Sequence, residues 1–340
     1  MKRYAVIRWV AGVALTVFAF YSAGLLNEGG WTALQLAVSK ANLSFLAASL
    51  LFIPLMDILN TVKWKSLVSA RRIPIGFWRL FSFYVVGRFY NLILPSSIGG
   101  DVVRVYLLGR FSGRTADAAA IVFVERFTGV IVLIGLTGLA VLFASVGFST
   151  STLVATLIFA AFSLTVLLWL IASEKPLHFA ENYLDNNRFF TAIAGKLRKF
   201  RVAVKQFRHE TLALNMAIFN SILFYAAAVL NVWVATLVFD QSVPFLSMVI
   251  AVPIIMFIMN IPISIGNIGV MEFGYTLTLM QFGMSGEDAI ATALLMRSKL
   301  LLAGCVGGIY YAFQADNREI KRGLIVDNKE AQGAAGIEEP

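Results

Sequence analysis

The chain has 340 residues, of which 59% are hydrophobic and 14% charged, and its mean hydropathy is +0.79. Several apolar stretches of about 20 residues can each cross a bilayer, which excludes a soluble globular domain and predicts an all-α polytopic membrane protein. The net charge of +9 does not indicate nucleic-acid binding, because the basic residues cluster at predicted helix ends. One cysteine and two histidines argue against a disulfide framework and a His/Cys metal site, so we expect no metal and no cofactor.

The N-terminal half is predicted to contain three full spans and one broken hairpin. The spans cover about 5–26, 42–62 and 118–147, with a loop at 27–40 after the first. Lys63 and the bases that follow it are assigned to a cytoplasmic segment after the second span. The apolar stretch 77–94 then runs into a Pro-Gly phrase with basic residues before and after it, so it is predicted to be re-entrant from the cytoplasm.

The C-terminal half is predicted to repeat this order. Its spans cover about 151–172, 212–238 and 289–312, and its broken hairpin covers about 245–261 and 270–282. The basic stretch 173–210 is predicted to be cytoplasmic. Apolar residues at helical spacing in its second half suit either a helix on the inner leaflet or a linker helix packed on the bundle. The tail 315–340 is predicted to be cytoplasmic and disordered.

The two halves are predicted to have opposite orientations in the membrane. Residues 1–148 form one predicted membrane repeat and residues 149–314 the other, each with three crossings and one hairpin. An odd number of crossings starts the second half on the opposite side, which is typical of an inverted repeat. The predicted fold is therefore about six full spans plus two re-entrant helical hairpins, with both termini in the cytoplasm of a bacterial-type inner membrane.

One phrase occurs twice, once in each half. The sequence from Pro95 to Gly100, PSSIGG, recurs from Pro262 to Asn267 as PISIGN. Helix-breaking residues at membrane depth leave backbone groups unpaired, so such a segment must be buried in protein or line a wet cavity. A broken segment in each half indicates a transport site.

A second regularity follows the repeated phrase. Asp101 and Arg126 are 25 residues apart, and Glu272 and Arg297 have the same separation. The two pairs either correspond, with the acidic residue about one helical turn further from the phrase in the second half, or share the spacing by chance.

Three ordered motifs carry a family resemblance. The segments LPSSIGGDVVR, VERFTGV and IPISIGNIGVMEFGY resemble the lysylphosphatidylglycerol synthase transmembrane-region family, which includes the flippase half of multiple peptide resistance proteins. The resemblance covers nearly all of residues 1–320. It implies a flippase-like membrane fold and the movement of a lipid between leaflets. The soluble aminoacyl-transferring domain of longer members has no counterpart here, so no synthesis of aminoacyl lipid is expected.

Ionisable residues in apolar segments are the candidates for a site, because each costs at least about 2.5–3.5 kcal/mol at the bilayer centre. Arginine suits a phosphodiester because its planar fork engages two oxygens, while carboxylates can balance the arginines or hold a headgroup amine. The predicted substrate-binding residues are Arg88, Asp101, Arg104, Glu125, Arg126, Glu272 and Arg297, with Asp57 and Lys299 as weaker candidates. The predicted backbone of the broken hairpins comprises Pro95, Gly99, Gly100, Pro262, Gly266 and Gly269.

Each candidate also has a purely structural interpretation, as an internal ion pair between helices. Arg88 would then neutralise Asp101, and Arg104 would be an ordinary basic residue at a helix end. Exposed N–H groups beside the glycines would bind phosphate only if a half-helix N-terminus points at it.

Three functions remain open from the sequence. The first is translocation of a phosphate-bearing lipid, aminoacylated, glycosylated or polyprenyl, without ATPase activity. The second is a membrane-embedded transferase for a lipid-linked substrate, although the sequence contains no catalytic motif. The third is a non-catalytic partner subunit of an envelope lipid enzyme. The expected partners are anionic or phosphate-bearing membrane lipids, together with a second copy of the chain or an envelope enzyme.

Overall fold

The computed structural model describes residues 2–27, 29–93, 99–143, 200, 202–239, 243–260 and 264–314. In these ranges every regular element is a helix, which agrees with the predicted all-α membrane fold. The predicted span 151–172, most of the stretch 173–210 and the tail 315–340 lie outside the described residues. So do Pro95 and Pro262, because the described ranges leave out 94–98 and 261–263.

The long helices are numbered in chain order, and most of the residues between α6 and α7 lie outside the described ranges. In order, they are α1 (Lys2–Ser22), α2 (Gly30–Ser39), α3 (Leu43–Ala70), α4 (Phe77–Ile93), α5 (Gly99–Ser112), α6 (Thr115–Phe143), α7 (Thr211–Leu237), α8 (Phe245–Asn260), α9 (Val270–Gln281) and α10 (Gly286–Gln314). A helical stretch at 202–206 continues into the 3-10 turn Phe207–His209, and a second 3-10 turn, Ile265–Asn267, separates α8 from α9.

Four helices of the described chain are long and apolar enough to cross a membrane. They are α3, α6, α7 and α10, and they coincide with the predicted second, third, fifth and sixth spans. The apolar parts of α1 (Val13–Ser22) and α8 (Phe245–Met259) are shorter. The chain is thus a multi-pass helical membrane protein, while the total of six spans and the inverted repeat stay predictions.

The second span is longer than its hydropathy indicated. Asn42 caps α3 by accepting a bond of 3.0 Å from the Ser44 N–H, and the helix then continues to Ala70, beyond the predicted end near 62. Trp64 and Leu67 on this extension are fully buried. Lys63, which was predicted to follow the second span, instead lies within the helix. This lysine is buried within α3, because the helix places it on the side that packs against the bundle.

The predicted loop at 27–40 also differs from the structure, since it contains α2. The chain enters this helix through Gly29, whose φ of 86° lies in the left-handed region. A Cβ on Gly30 would come within 2.4 Å of the Gly24 carbonyl oxygen, so glycine allows this tight connection. The side chain of Leu34 is buried, and α2 packs on α10. Hydropathy missed α2 because ten residues are too few for a span.

Both broken segments are helical hairpins held by an asparagine. In the first, α4 and α5 pack together, and the Gly100 N–H donates to Asn91 Oδ1 over 2.6 Å. In the second, Asn267 Nδ2 donates to the Met259 carbonyl oxygen over 3.0 Å. Asn267 has a φ of 56°, a left-handed conformation that asparagine tolerates better than most residues, and it follows Gly266 at 60°.

Glycines let the first hairpin contact the last helix closely. A Cβ on Gly307 of α10 would come within 2.4 Å of the Val85 carbonyl oxygen on α4. On the same helix, a Cβ on Gly304 or Gly308 would overlap Leu92 or Phe89, respectively. Small residues are typical of interfaces where membrane helices approach at backbone distance. This glycine seam joins α4 from the N-terminal half to α10 from the C-terminal half.

Replacement of Gly307 by alanine tests the seam. Gly307→Ala is expected to destabilise the protein by about 1–3 kcal/mol, because a methyl group would have to displace the backbone of α4. Gly76→Ala is the control, since a Cβ there meets nothing within 4 Å. Thermal unfolding in detergent measures both variants, and equal midpoints for Gly307→Ala and Gly76→Ala would contradict close contact between α4 and α10.

Candidate functional site

The acidic residue after the first Pro-Gly phrase pairs with the arginine 25 residues further on. Asp101 lies in the first turn of α5, where the helix dipole favours a carboxylate. Arg126 on α6 donates from Nε to Asp101 Oδ2 over 2.8 Å and from Nη2 to Oδ1 over 3.0 Å. Its side chain is 53% exposed, and Nη1 has no protein partner in the described ranges. Arg126 can therefore bind a second anion without leaving Asp101.

A second arginine lies one helical turn after Asp101 and is almost completely buried. The side chain of Arg104 is 4% exposed, with Nη1 donating to Asp101 Oδ1 over 3.2 Å and Nη2 donating to Glu125 Oε2. Its guanidinium carbon lies 4.2 Å from the ring centre of Trp64 and 4.9 Å from that of Tyr84. The alternative of an ordinary helix-end base is wrong, because Arg104 neutralises carboxylates inside the bundle.

The second Pro-Gly phrase leads to an ion pair with the same spacing. Arg297 on α10 donates from Nε to Glu272 Oε1 over 2.7 Å and from Nη2 to Oε2 over 2.9 Å. The same guanidinium donates to the carbonyl oxygens of Gly266 over 3.1 Å and Asn267 over 2.7 Å. Glu272 also accepts a bond of 2.8 Å from the Gly269 N–H at the start of α9. This network ties the broken segment to α10.

The two equivalent pairs differ in the freedom of their arginines. The side chain of Arg297 is only 12% exposed, and each of its three nitrogens donates to a protein oxygen. Arg126 is exposed and keeps one nitrogen unbonded within the described chain. Arg297 thus holds the backbone of its hairpin, whereas Arg126 keeps part of its guanidinium exposed and unbonded.

Arg88 pairs with a partner that the sequence did not predict. Its Nη2 lies 2.8 Å from Asp57 Oδ1 and its Nη1 lies 2.9 Å from Asp57 Oδ2, which joins α4 to α3. The expectation that Arg88 neutralises Asp101 is wrong, because Arg104 and Arg126 already engage that carboxylate. Helix α3 packs on α4, so a carboxylate on the neighbouring span is within reach.

Two of the predicted glycine donors are already bonded. The Gly100 N–H donates to Asn91, and the Gly269 N–H donates to Glu272. Gly99 and Gly100 are buried in the first turn of α5. A Cβ on Gly100 would come within 2.2 Å of the Gly87 carbonyl oxygen. These positions therefore support close packing of the hairpins, and neither bonded N–H is available to a phosphate in this conformation.

A polar cavity opens beside the first ion pair. Its volume is about 160 Å³, and its lining includes Lys63, Arg104, Glu125 and Arg126. We call it the Arg126 cavity. Lys63 donates to the Glu125 backbone carbonyl over 2.6 Å, so the lysine is held in the wall by a neutral acceptor. The cavity thus combines three cationic side chains with one carboxylate.

A second cavity adjoins the first. It has a volume of about 240 Å³ and is lined by Arg88, Lys299 and several apolar side chains, and we call it the Lys299 cavity. The side chains of Asn60, Tyr84 and Phe224 line both cavities and form the partition between them. One region of the bundle therefore brings together polar groups from five helices, namely α3, α4, α6, α7 and α10.

The predicted site residues fall into two groups. The first hairpin and its neighbours bring together Arg88, Asp101, Arg104, Glu125 and Arg126 around the two cavities. Glu272 and Arg297 form a separate group with Gly266 and Gly269, and neither charged side chain lines these two cavities.

Sequence reasoning missed two polar residues of α3 that line the cavities. Asn60 and Lys63 were placed in a span and in a cytoplasmic segment, respectively. Together with Asp57 they recur every three residues, which puts them near one face of a helix. A polar stripe within an apolar helix was the available signal, and the early predicted end of the span concealed it.

The architecture defines a multi-pass membrane protein with a charged interior and two broken helical hairpins. The family comparison gives the particular assignment: the model of the Lysylphosphatidylglycerol synthase TM region matches residues 9–307, so the chain belongs to that family. This confirms the resemblance found from the three motifs. Comparisons with the curated proteins and with the solved structures found no match.

The buried and exposed arginines are expected to respond differently to neutralisation. Arg104→Gln should destabilise the protein by about 3–5 kcal/mol, because it leaves buried carboxylate charge without a partner. Arg126→Gln should have a much smaller effect, since its side chain is half exposed and Arg104 still contacts Asp101. Thermal unfolding in detergent compares the two, and a greater loss for Arg126→Gln would contradict these roles.

The backbone role of Arg297 has a separate test. Arg297→Lys keeps the charge and loses the planar fork that reaches Glu272 and two carbonyl oxygens together. Hydrogen exchange of the amides at 266–269 is expected to become faster by about tenfold or more, because local opening costs less free energy. Arg110→Lys, on an exposed position of α5, is the control. Unchanged exchange in Arg297→Lys would contradict the assigned role.

Proposed function

We propose that this protein moves a phosphate-bearing lipid between the leaflets of the membrane, with Arg126 as the principal contact for the headgroup. The observation that carries the proposal is the arrangement of that arginine. It is fixed by Asp101 through two nitrogens, while its third nitrogen and half of its surface remain available beside a polar cavity. A preorganised guanidinium is well suited to a phosphate oxygen.

The surroundings of the Arg126 cavity support an amphiphilic cargo. An apolar groove of about 430 Å³ lies between α6, α7 and α8 and is lined by residues such as Leu136, Val229 and Val249. Tyr225 lines both this groove and the Arg126 cavity, so an apolar and a polar compartment share one wall. A lipid needs this combination, because its headgroup and its chains require different surroundings.

The ion pairs favour binding over chemistry on the cargo. Among the described residues each buried carboxylate contacts an arginine; these carboxylates are Asp57, Asp101, Asp117, Glu125 and Glu272. A carboxylate held in this way is a poor general base, because removal of its charge would leave the arginine unpaired. We therefore propose transport without catalysis. The distribution of basic residues in the sequence supports an inner membrane with both termini in the cytoplasm.

Leaflet exchange in reconstituted vesicles tests the proposal. Liposomes containing the purified protein and a fluorescent phosphate-bearing lipid should show accelerated loss of signal when a membrane-impermeant reductant is added. Arg126→Gln is expected to reduce the rate of exchange by about tenfold or more, because a charged hydrogen bond to the headgroup is lost. Arg110→Gln is the control, since that arginine is exposed at the far end of α5.

The outcomes separate the remaining functions. The transport function would be rejected if every phosphate-bearing lipid tried crossed between leaflets no faster than in protein-free liposomes. Covalent change of the lipid, detected by mass spectrometry, would favour a membrane-embedded transferase. Equal exchange by Arg126→Gln and the wild-type protein would reject the assigned headgroup contact.

A further inference from the structure

One buried lysine in the wall of the Arg126 cavity forms no ion pair within the described ranges. Lys63 lies on α3 with 6% of its surface exposed. Its Nζ crosses to α6 and donates to the Glu125 backbone carbonyl, a neutral acceptor, over 2.6 Å. An ammonium group has three N–H bonds, so two of them lack an acceptor among the described residues. A buried charge is costly unless it is paired, so an anion supplied by another molecule would lower this cost.

A glycine of α6 makes room for this ammonium group. A Cβ on Gly129 would come within 3.2 Å of Lys63 Nζ, so a larger residue at this position would press on the lysine. Gly129 follows Arg126 by three residues, which is about one helical turn. Lys63 Nζ therefore reaches α6 within one turn of Arg126, and both side chains line the same cavity.

The two cations keep unused donors beside one small space. Arg126 binds Asp101 through Nε and Nη2, and its Nη1 has no partner in the described chain. The cavity volume of about 160 Å³ equals that of about five water molecules at about 30 Å³ each, which is enough for one phosphate group. Lys63 also lies within electrostatic range of the like charge on Arg126, and an anion between the two would offset their repulsion.

The carboxylates beside this cavity are already engaged by arginines. Glu125, in the lining, accepts a hydrogen bond from Arg104 Nη2, and Asp101 contacts both Arg104 and Arg126. An ammonium group on a lipid would therefore meet Lys63 and Arg126 without an unpaired carboxylate in the described wall. The free donors instead suit a group that accepts hydrogen bonds, such as the anionic oxygens of a phosphate.

We propose that Lys63 and Arg126 clamp one phosphate between α3 and α6, and that this clamp selects anionic headgroups over headgroups that carry an ammonium group. The inference rests on the proposed function and specifies its cargo as a lipid phosphate without an amine. Lys63 is then a second headgroup contact. Its position on a different helix fixes the phosphate from the side opposite to Arg126.

Two lipids that differ only at the amine test the selectivity. Phosphatidylethanolamine and its N-acetyl derivative have the same phosphodiester and can be matched in their acyl chains, but only the first carries an ammonium group. Native mass spectrometry of the purified full-length chain in detergent should show about tenfold tighter binding of the N-acetyl lipid, because like charges placed together weaken binding. Equal affinities, or tighter binding of phosphatidylethanolamine, would overturn the proposal, whatever the variants do.

Variants at the lysine test the clamp itself. Lys63→Gln should weaken binding of the N-acetyl lipid by about tenfold and reduce the difference between the two lipids, because charged hydrogen bonds to the phosphate are lost. Gly129→Ala keeps the charge but displaces the ammonium group, so it should weaken the same lipid. Lys65→Gln is the matched control on α3, because Lys65 donates to the Ile75 carbonyl and does not line the cavity. Unchanged affinity in Lys63→Gln would overturn the assigned contact.

Inorganic phosphate distinguishes the possible sources of the ligand. Displacement of the N-acetyl lipid by inorganic phosphate supports a clamp for the phosphate group itself. Lipid binding that resists excess phosphate and still depends on Lys63 supports a clamp that takes the group only as part of a lipid.

Vesicle exchange separates this inference from the proposed function. Exchange of both lipids at one rate, unaffected by Lys63→Gln, would reject the clamp and leave the transport function intact. Absence of exchange for all lipids would reject the transport function.

Discussion

Charges that leave water for a membrane interior are costly unless they are paired, and ion pairs join the helices of the described bundle. Asp57 and Arg88 join α3 to α4, and Asp101 and Arg126 join α5 to α6. Glu272 joins α9 to α10 through its ion pair with an arginine. Each contact links consecutive long helices, so the ion pairs fix the two hairpins against the spans beside them. Because the loss of one partner would strand a charge, the helices cannot separate independently.

The same constraint produces different results in the two halves. Both hairpins are followed by an acid and an arginine at equal spacing, and both pairs form in the structure. In the C-terminal half the arginine also holds the carbonyl oxygens of the broken segment, so its donors are all engaged. In the N-terminal half a second arginine, Arg104, takes part of the structural role. Because Arg104 also binds Asp101, Arg126 keeps one unbonded nitrogen beside the cavity. The same acid–arginine spacing therefore gives an exposed arginine in the N-terminal half only.

The glycine seam joins the N-terminal half, which contains the exposed Arg126, to the C-terminal half, which contains the fully bonded Arg297. Gly304, Gly307 and Gly308 bring α10 to backbone distance from α4, and α10 also carries Lys299 into the second cavity. Helix α4 contributes Tyr84 to the partition between the cavities. A small displacement of one helix would therefore change both cavities, because close-packed backbones cannot move past each other without repacking. The walls of the proposed headgroup site are built from both halves of the chain.

The sequence alone determined the all-helical membrane class, the family and the positions of four helices that are long and apolar enough to cross a membrane. Hydropathy and helical spacing are local properties, so they can be read without knowing which helices touch. The equal 25-residue spacing was visible in the sequence, but only the structure shows that the acid and the arginine of each set form an ion pair. Tertiary structure decided the remainder, namely that Arg88 engages Asp57, that Arg104 is buried between Trp64 and Tyr84, and that Lys63 lines a cavity. Those facts depend on how far α3 extends and on which faces meet when helices pack, and no local pattern specifies either one.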